Sequence, residues 1–178
     1  MATLAPTVLF LCTGNAARSV MAATMMAKRY DDVEVISAGT HSIPGLPMSS
    51  RTRDALGGHG LADPDHRSSQ VDQDMVDRAD VIVIFEPMHL TYMRKHHLDA
   101  AAKVGSLGRL ARDLSEGSVD TLAARVAQMQ LETTTFEPWE EVIDPAGGDL
   151  AVFEASAAEI HELLDLLAQK IGATDAAS

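Results

Sequence analysis

The feature that most restricts the fold is the run Thr7–Cys12, Thr-Val-Leu-Phe-Leu-Cys, where β-forming residues follow one another without polar alternation. Such a run suits a strand covered on both faces, as in parallel sheets flanked by helices. It passes into Thr13-Gly14-Asn15, a turn signal, and then into residues 19–30, rich in the helix formers Ala and Met. The alternation continues along the chain. Residues 33–38 read as a second strand stopped by Gly39, residues 81–85 as a third, and residues 103–107 as a weaker fourth. Residues 49–59, 72–78 and 87–97 carry helical patterns. Near the end, Phe153, Ala157, Ile160, Leu164, Leu167 and Ile171 recur at three- and four-residue steps. They predict one long amphipathic helix, with Asp149 as its N-cap and Gly172 as its stop. Residues 110–142 carry little period beyond a weak helical stretch at 119–131, and the first few residues and 172–178 read as loose tails. Strands alternating with helices predict right-handed βαβ units in an α/β fold, an open parallel sheet with helices on both faces. The expected organisation is a single domain spanning residues 1–178, with its core at residues 7–171.

In such sheets ligands bind beyond the carboxyl ends of the strands, where the chain turns into helices. The first of these turns is Cys12-Thr13-Gly14-Asn15-Ala16-Ala17-Arg18-Ser19. Consecutive peptide N–H groups in a loop of this kind can converge on an anion, and the helix N-terminus adds its positive dipole end. Gly14 and Asn15 are residue types that tolerate the left-handed backbone a tight concave loop needs. Arg18 supplies a planar fork matched to two oxygens of a phosphate-like group. Cys12 stands at the entrance of this positive field, the setting in which a thiol serves as a thiolate nucleophile. Ser19 can donate a hydroxyl hydrogen bond to the sulfur. The same cysteine also fits a plainer description, a small apolar residue closing a strand.

Composition narrows the partners. The chain has 178 residues, 46% apolar and 22% charged, enough for a real core. Its 14 basic and 26 acidic side chains give a net charge of -12, which repels a nucleic-acid backbone. No apolar run is long enough to insert in a membrane. No charged n-region precedes the first one, so no signal peptide is expected. One cysteine forms no internal disulfide and no Cys-based zinc site, and the seven histidines show no H-x3-H or HExxH spacing. The expectation is an acidic cytoplasmic protein with no metal and no cofactor.

The segment Val8-Leu-Phe-Leu-Cys-Thr-Gly-Asn-Ala-Ala-Arg-Ser resembles the signature of the low-molecular-weight protein tyrosine phosphatase family, whose superfamily includes bacterial arginine phosphatases and arsenate reductases. Further matches follow in family order: Ser37-Ala-Gly-Thr, His66-Arg67, Ala79-Asp80 and Asp144-Pro145. The resemblance implies a flavodoxin-like fold and a cysteine-dependent phosphatase. Its substrate would be a phosphorylated protein or a small phosphorylated compound, and inorganic phosphate or other oxyanions would bind the same loop. It implies Cys12 as nucleophile, Thr13 to Ser19 as the phosphate cradle with Arg18 at its end, and Asp144 as the proton donor to the leaving group. Asn15, Ser19, Ser37 and His66 would be its supporting network. Read without the family, Asp-Pro-Ala-Gly-Gly is a turn signal, and Asp149 is a rival acid.

The chain also departs from the family. Ala17 stands where many members carry a second cysteine, Val20 replaces a proline, and Ala23 replaces a glutamate. Tyrosine phosphatases have aromatic walls where this chain has Ala146-Gly147-Gly148 and His41-Ser42-Ile43-Pro44. Thr13-Gly14-Asn15 and the two glycines after Asp144-Pro145 sit closer to the arginine phosphatases, yet Ala16 occupies the position of that branch's threonine. An arsenate reductase drawing on an external thiol and a degraded oxyanion-binding module are the alternatives.

Overall fold

The computed structural model describes residues 5–117 and 120–176. Four strands, β1 (Thr7–Cys12), β2 (Glu34–Gly39), β3 (Val81–Ile84) and β4 (Val104–Ser106), form one parallel sheet in the order β2-β1-β3-β4. All carboxyl ends therefore lie along one edge. Cys12 pairs with Gly39 in register, and Leu11 with Ile84, so the residues that follow β1 emerge between the ends of β2 and β3.

The helices are α1 (Arg18–Arg29), α2 (Ser50–Gly58), α3 (Gln73–Arg78), α4 (Pro87–His96), α5 (Leu107–Asp113), α6 (Leu122–Gln128) and α7 (Leu150–Ile171). The pleat of β1 divides the core into two layers. Val8, Phe10 and Cys12 pack with Met21, Met25, Ile160 and Leu164 from α1 and α7. Leu9 and Leu11 pack with Ile82, Ile84, Leu90 and Met93 on the other face. Every residue of β1 is buried, as the unbroken apolar run predicts. Asp149 caps α7 by accepting from the Val152 N–H, and Gly172 ends it at φ +83° in the left-handed region.

Three expectations need correction. The fourth strand covers Val104–Ser106 only, because the Ser106 side chain accepts from the Arg109 N–H and starts α5 at Leu107 with no turn between them. The helix expected at 119–131 is Leu122–Gln128, set by the Thr121 cap; Ser118 and Val119 lie outside the described residues. The tail after Gly172 is tied down as far as Ala176. Thr174 N–H donates to the Asp32 carboxylate, Asp175 pairs with Tyr30, and Ala176 N–H donates to Arg29 O. Residues 1–4 and 177–178 of the expected tails lie outside the described residues.

Candidate active site

The turn after β1 is shaped by bonds to its carbonyl groups. Cys12 O accepts from Thr40 N–H at 2.8 Å and Thr13 O from His41 N–H at 2.9 Å, both from the chain leaving β2. Asn15 O accepts from His66 Nε2 at 3.0 Å, and since a carbonyl only accepts, that nitrogen carries the proton. Ala16 O accepts from the Thr52 hydroxyl of α2 at 2.7 Å, and Ala17 O from Met21 N–H at 2.8 Å. Among the described residues, the N–H groups of Gly14, Asn15, Ala16 and Ala17 donate to no protein acceptor. A loop with engaged carbonyls and free donors is built for an anion.

Two backbone features make this shape possible. Asn15 sits at φ +52° in the left-handed region. Its side chain holds it there: Nδ2 donates to Ser19 Oγ at 2.9 Å and to Ser37 Oγ at 3.2 Å, and Oδ1 accepts from Ser69 N–H at 2.9 Å. The second feature is Gly39, at the end of β2. A Cβ there would stand 2.5 Å from Thr13 O and 2.9 Å from Asn15 N, closer than any side chain permits. Ser37 and His66 thus both reach Asn15, one by its side chain and one by its carbonyl.

Cys12 is buried, and its sulfur lies 2.9 Å from Ser19 Oγ. Because Ser19 Oγ already accepts from Asn15, its hydroxyl proton is free to point at the sulfur. Arg18 is 3% exposed. Its Nη1 donates to Glu86 at 3.0 Å and to Val142 O at 3.4 Å, while Nη2 stands 3.4 Å from Asp144. Asp144 is half-exposed; its Oδ1 accepts from Ala146 N–H, and Gly147 turns the chain at φ +78°. Asp149 serves as the α7 cap.

Sequence reasoning missed Glu86 and His89. Glu86 stands two residues after β3, which pairs with β1, and binds the guanidinium of Arg18. His89 is completely buried one turn into α4. Its Nδ1 accepts from Phe85 N–H, so the proton sits on Nε2, which reaches both Glu86 at 3.2 Å and Thr13 Oγ1 at 3.1 Å. The hydrogen bond from His89, followed by Arg18, holds the Glu86 carboxyl down to about 2, against the penalty of burial. Burial in turn keeps His89 below its ordinary value. The available signal was a lone carboxylate between an apolar strand and the N1 proline of a helix, Phe85-Glu86-Pro87.

Three aromatic residues near the site in sequence pack elsewhere in the fold. Phe153 is buried in the core and Phe136 packs on the opposite layer. Trp139 lies against Arg112, whose guanidinium carbon is 3.8 Å from the ring centroid. At the rim, His41 meets Tyr92 edge-on with centroids 5.4 Å apart.

The chain is similar to known proteins in sequence and in fold. Residues 7–122 match the low molecular weight phosphotyrosine protein phosphatase family. A probable low molecular weight protein-tyrosine-phosphatase, EpsP, of Ralstonia nicotianae is 33% identical over 104 residues, covering 58% of this chain and 70% of the relative. The protein-arginine-phosphatase of Geobacillus stearothermophilus is 29% identical over 170 residues, 92% of this chain and 95% of the relative. The solved structure of the YwlE arginine phosphatase from that organism superposes with a TM-score of 0.75 at 27% identity, covering 94% of this chain and 93% of that one. With fold, loop and family match in agreement, the chain belongs to the low molecular weight phosphotyrosine protein phosphatase family.

Proposed function

We propose that this phosphatase acts on phosphorylated protein side chains through a cysteinyl-phosphate intermediate. Cys12 is the nucleophile, the N–H groups of residues 13–19 and the Arg18 fork hold the phosphoryl oxygens, and Asp144 is the acid and then the base. Convergence carries this reading: a carboxylate from the far end of the chain stands 3.4 Å from the guanidinium that closes the Cys12 loop.

The Cys12 thiolate attacks phosphorus in line. The S–P bond forms as the bond from phosphorus to the leaving group breaks, P–O in phosphotyrosine and P–N in phosphoarginine, and the departing oxygen or nitrogen takes the proton of Asp144. Charge on the equatorial oxygens falls to the peptide donors and to Arg18, so the scheme draws on no metal or cofactor. Water deprotonated by Asp144 then attacks the cysteinyl phosphate, and Ser19 Oγ, 2.9 Å from the sulfur, stabilises the departing thiolate.

The exposed apolar residues Ile43, Leu46, Met88, Ile143 and Leu150 lie in segments leaving the carboxyl edge of the sheet or flanking Asp144. They support a polypeptide substrate over a small phosphorylated compound. With Ala146 exposed where a ring wall would stand, the pocket suits phosphoarginine as well as phosphotyrosine. A single thiol that has to stay reduced supports a cytoplasmic setting.

Rapid-quench kinetics with an activated aryl phosphate test the scheme. The expected result is a stoichiometric burst of phenol and an acid-trapped phosphoprotein absent from Cys12→Ser. Arsenite formation from arsenate and an external thiol, without that burst, would replace the reading with a reductase. Oxyanion binding with neither activity would replace it with a binding module.

A further inference from the structure

Away from the Cys12 loop, one of the concave regions of the molecule lies between α5, α7 and the segment carrying Trp139. It is a groove of about 410 Å³. Trp139, Val142, Leu163 and Leu166 give it an apolar lining, with Glu159 and Glu162 along one side. Trp139 is 46% exposed and Leu166 is 48% exposed, although both are large apolar side chains. Leu166 lies off the core stripe of α7 and faces outward, while Leu163 is partly buried beside it against the core. The charges of the groove are not balanced. Arg112, which stacks on Trp139, is held by Asp113, and Arg109 is held by Glu140. Neither Glu159 nor Glu162 has a cation partner among the described residues, and Glu159 accepts only from Ile143 N–H.

We infer that this groove docks a basic amphipathic segment of a partner protein, its apolar side chains between Trp139 and Leu166 and its Lys or Arg residues on Glu159 and Glu162. Charge decides the occupant. A chain of net charge -12 is steered toward a basic partner, and a second copy of itself would set like charges against this edge. The groove also bears on the site. Glu159 holds the Ile143 N–H at 3.1 Å, one residue before Asp144, and Val142 lines the groove while its carbonyl accepts from Arg18. A cation drawn to Glu159 competes for the oxygen that fixes the Asp144 loop. Occupancy therefore alters proton donation, a consequence that rests on the catalytic reading of Asp144.

Trp139 is the only tryptophan in the sequence, so its emission reports the groove directly. The whole protein is titrated with a Leu/Lys amphipathic peptide of about 14 residues, long enough to form a helix on binding, and with a Leu/Glu peptide of the same pattern. A saturable blue shift with the Leu/Lys peptide alone is expected, with affinity reduced about tenfold or more in Leu166→Asp and in Glu162→Lys. No shift, an equal shift with the acidic peptide, or unchanged affinity in both variants would overturn docking. So would a shift that grows with protein concentration alone, which marks self-association. With peptide bound, turnover of an alkyl phosphate should change while that of an activated aryl phosphate does not. Equal effects on both would overturn the coupling to Asp144 and leave docking to the fluorescence result, which needs no catalysis.

Discussion

The two halves of the site are held in opposite ways. The Cys12 loop is gripped from several sides, by the backbone after β2, by Thr52 of α2, by His66 and Ser69, and by the Ser19–Asn15–Ser37 side chains. The Asp144 loop is pinned at its base, where Val142 N–H donates to Phe85 O and Ser156 donates to Ile143 O, and it ends in a half-exposed carboxylate followed by glycines. On the proposed mechanism, the contrast suits two different tasks. Holding a dianion requires donors fixed before it arrives, since any reorganisation is lost binding energy. Moving a proton to different leaving groups requires a carboxyl that can shift and change its charge.

The sharpest way to break this contrast is at Asp144. Asp144→Ala should slow substrates with basic leaving groups by about 10²–10⁴-fold and barely affect activated aryl phosphates. Inorganic phosphate inhibition should be unchanged. Equal loss on both substrate types would make Asp144 part of the rigid half, or move the acid role to Asp149.

A smaller effect is expected where the rigid half is tightened from behind. Glu86→Gln removes the charged partner of Arg18, a bond class worth about 1.5–3 kcal/mol, or roughly 10–100-fold in oxyanion affinity. The loss should appear for every leaving group alike, which separates it from the Asp144 pattern. The same network sets an acid limit. His89 is held below its ordinary value of 6.5 in the folded state, so the unfolded chain takes up that proton first and stability falls as pH drops below about 6.5. Glu86 adds its own loss as pH falls from 4.5 toward about 2. Thermal melts from pH 7 to pH 4 should show a shallower slope in His89→Gln than in the unchanged protein.

The smallest effect concerns the rim. Installing a ring by Ala146→Tyr should raise kcat/KM for phosphotyrosine peptides by roughly 2–10-fold, the worth of one aromatic contact. It should leave matched alkyl phosphates unaffected. A phosphotyrosine advantage of about 10³ before any substitution, on the order of 4 kcal/mol, would mean that a wall such as Tyr92 already serves the pocket.

The same contrast separates what the sequence discloses from what it hides. The loop's own chemistry is contiguous, so Cys12, Asn15, Arg18 and Ser19 can be read from eight neighbouring residues, and β1 announces itself by its unbroken apolar run. Glu86 and His89 act only because β3 lies next to β1, a pairing that local pattern leaves open. Thr52 reads as a helix residue near the Ser49 cap until its hydroxyl is seen on Ala16 O. Helix α5 escaped because it starts directly after β4, with Ser106 both ending the strand and capping the helix, so no turn signal separates the two. The pinned tail beyond Gly172 depends on where α1 ends, which no local signal encodes.

Gly39 brings a consequence for how such a protein can vary. Its side chain is hydrogen, it touches no substrate, and it lies outside the loop that binds the anion. Yet the carbonyl of Thr13 and the amide of Asn15 close on it so tightly that a single methyl group would push the loop out of shape. Gly39→Ala should therefore distort the loop although it removes no functional group. Exposed rim residues such as Ala146 have room for a larger side chain, while the position at the edge of β2 admits only a bare Cα. In this site the least decorated position is among the least negotiable.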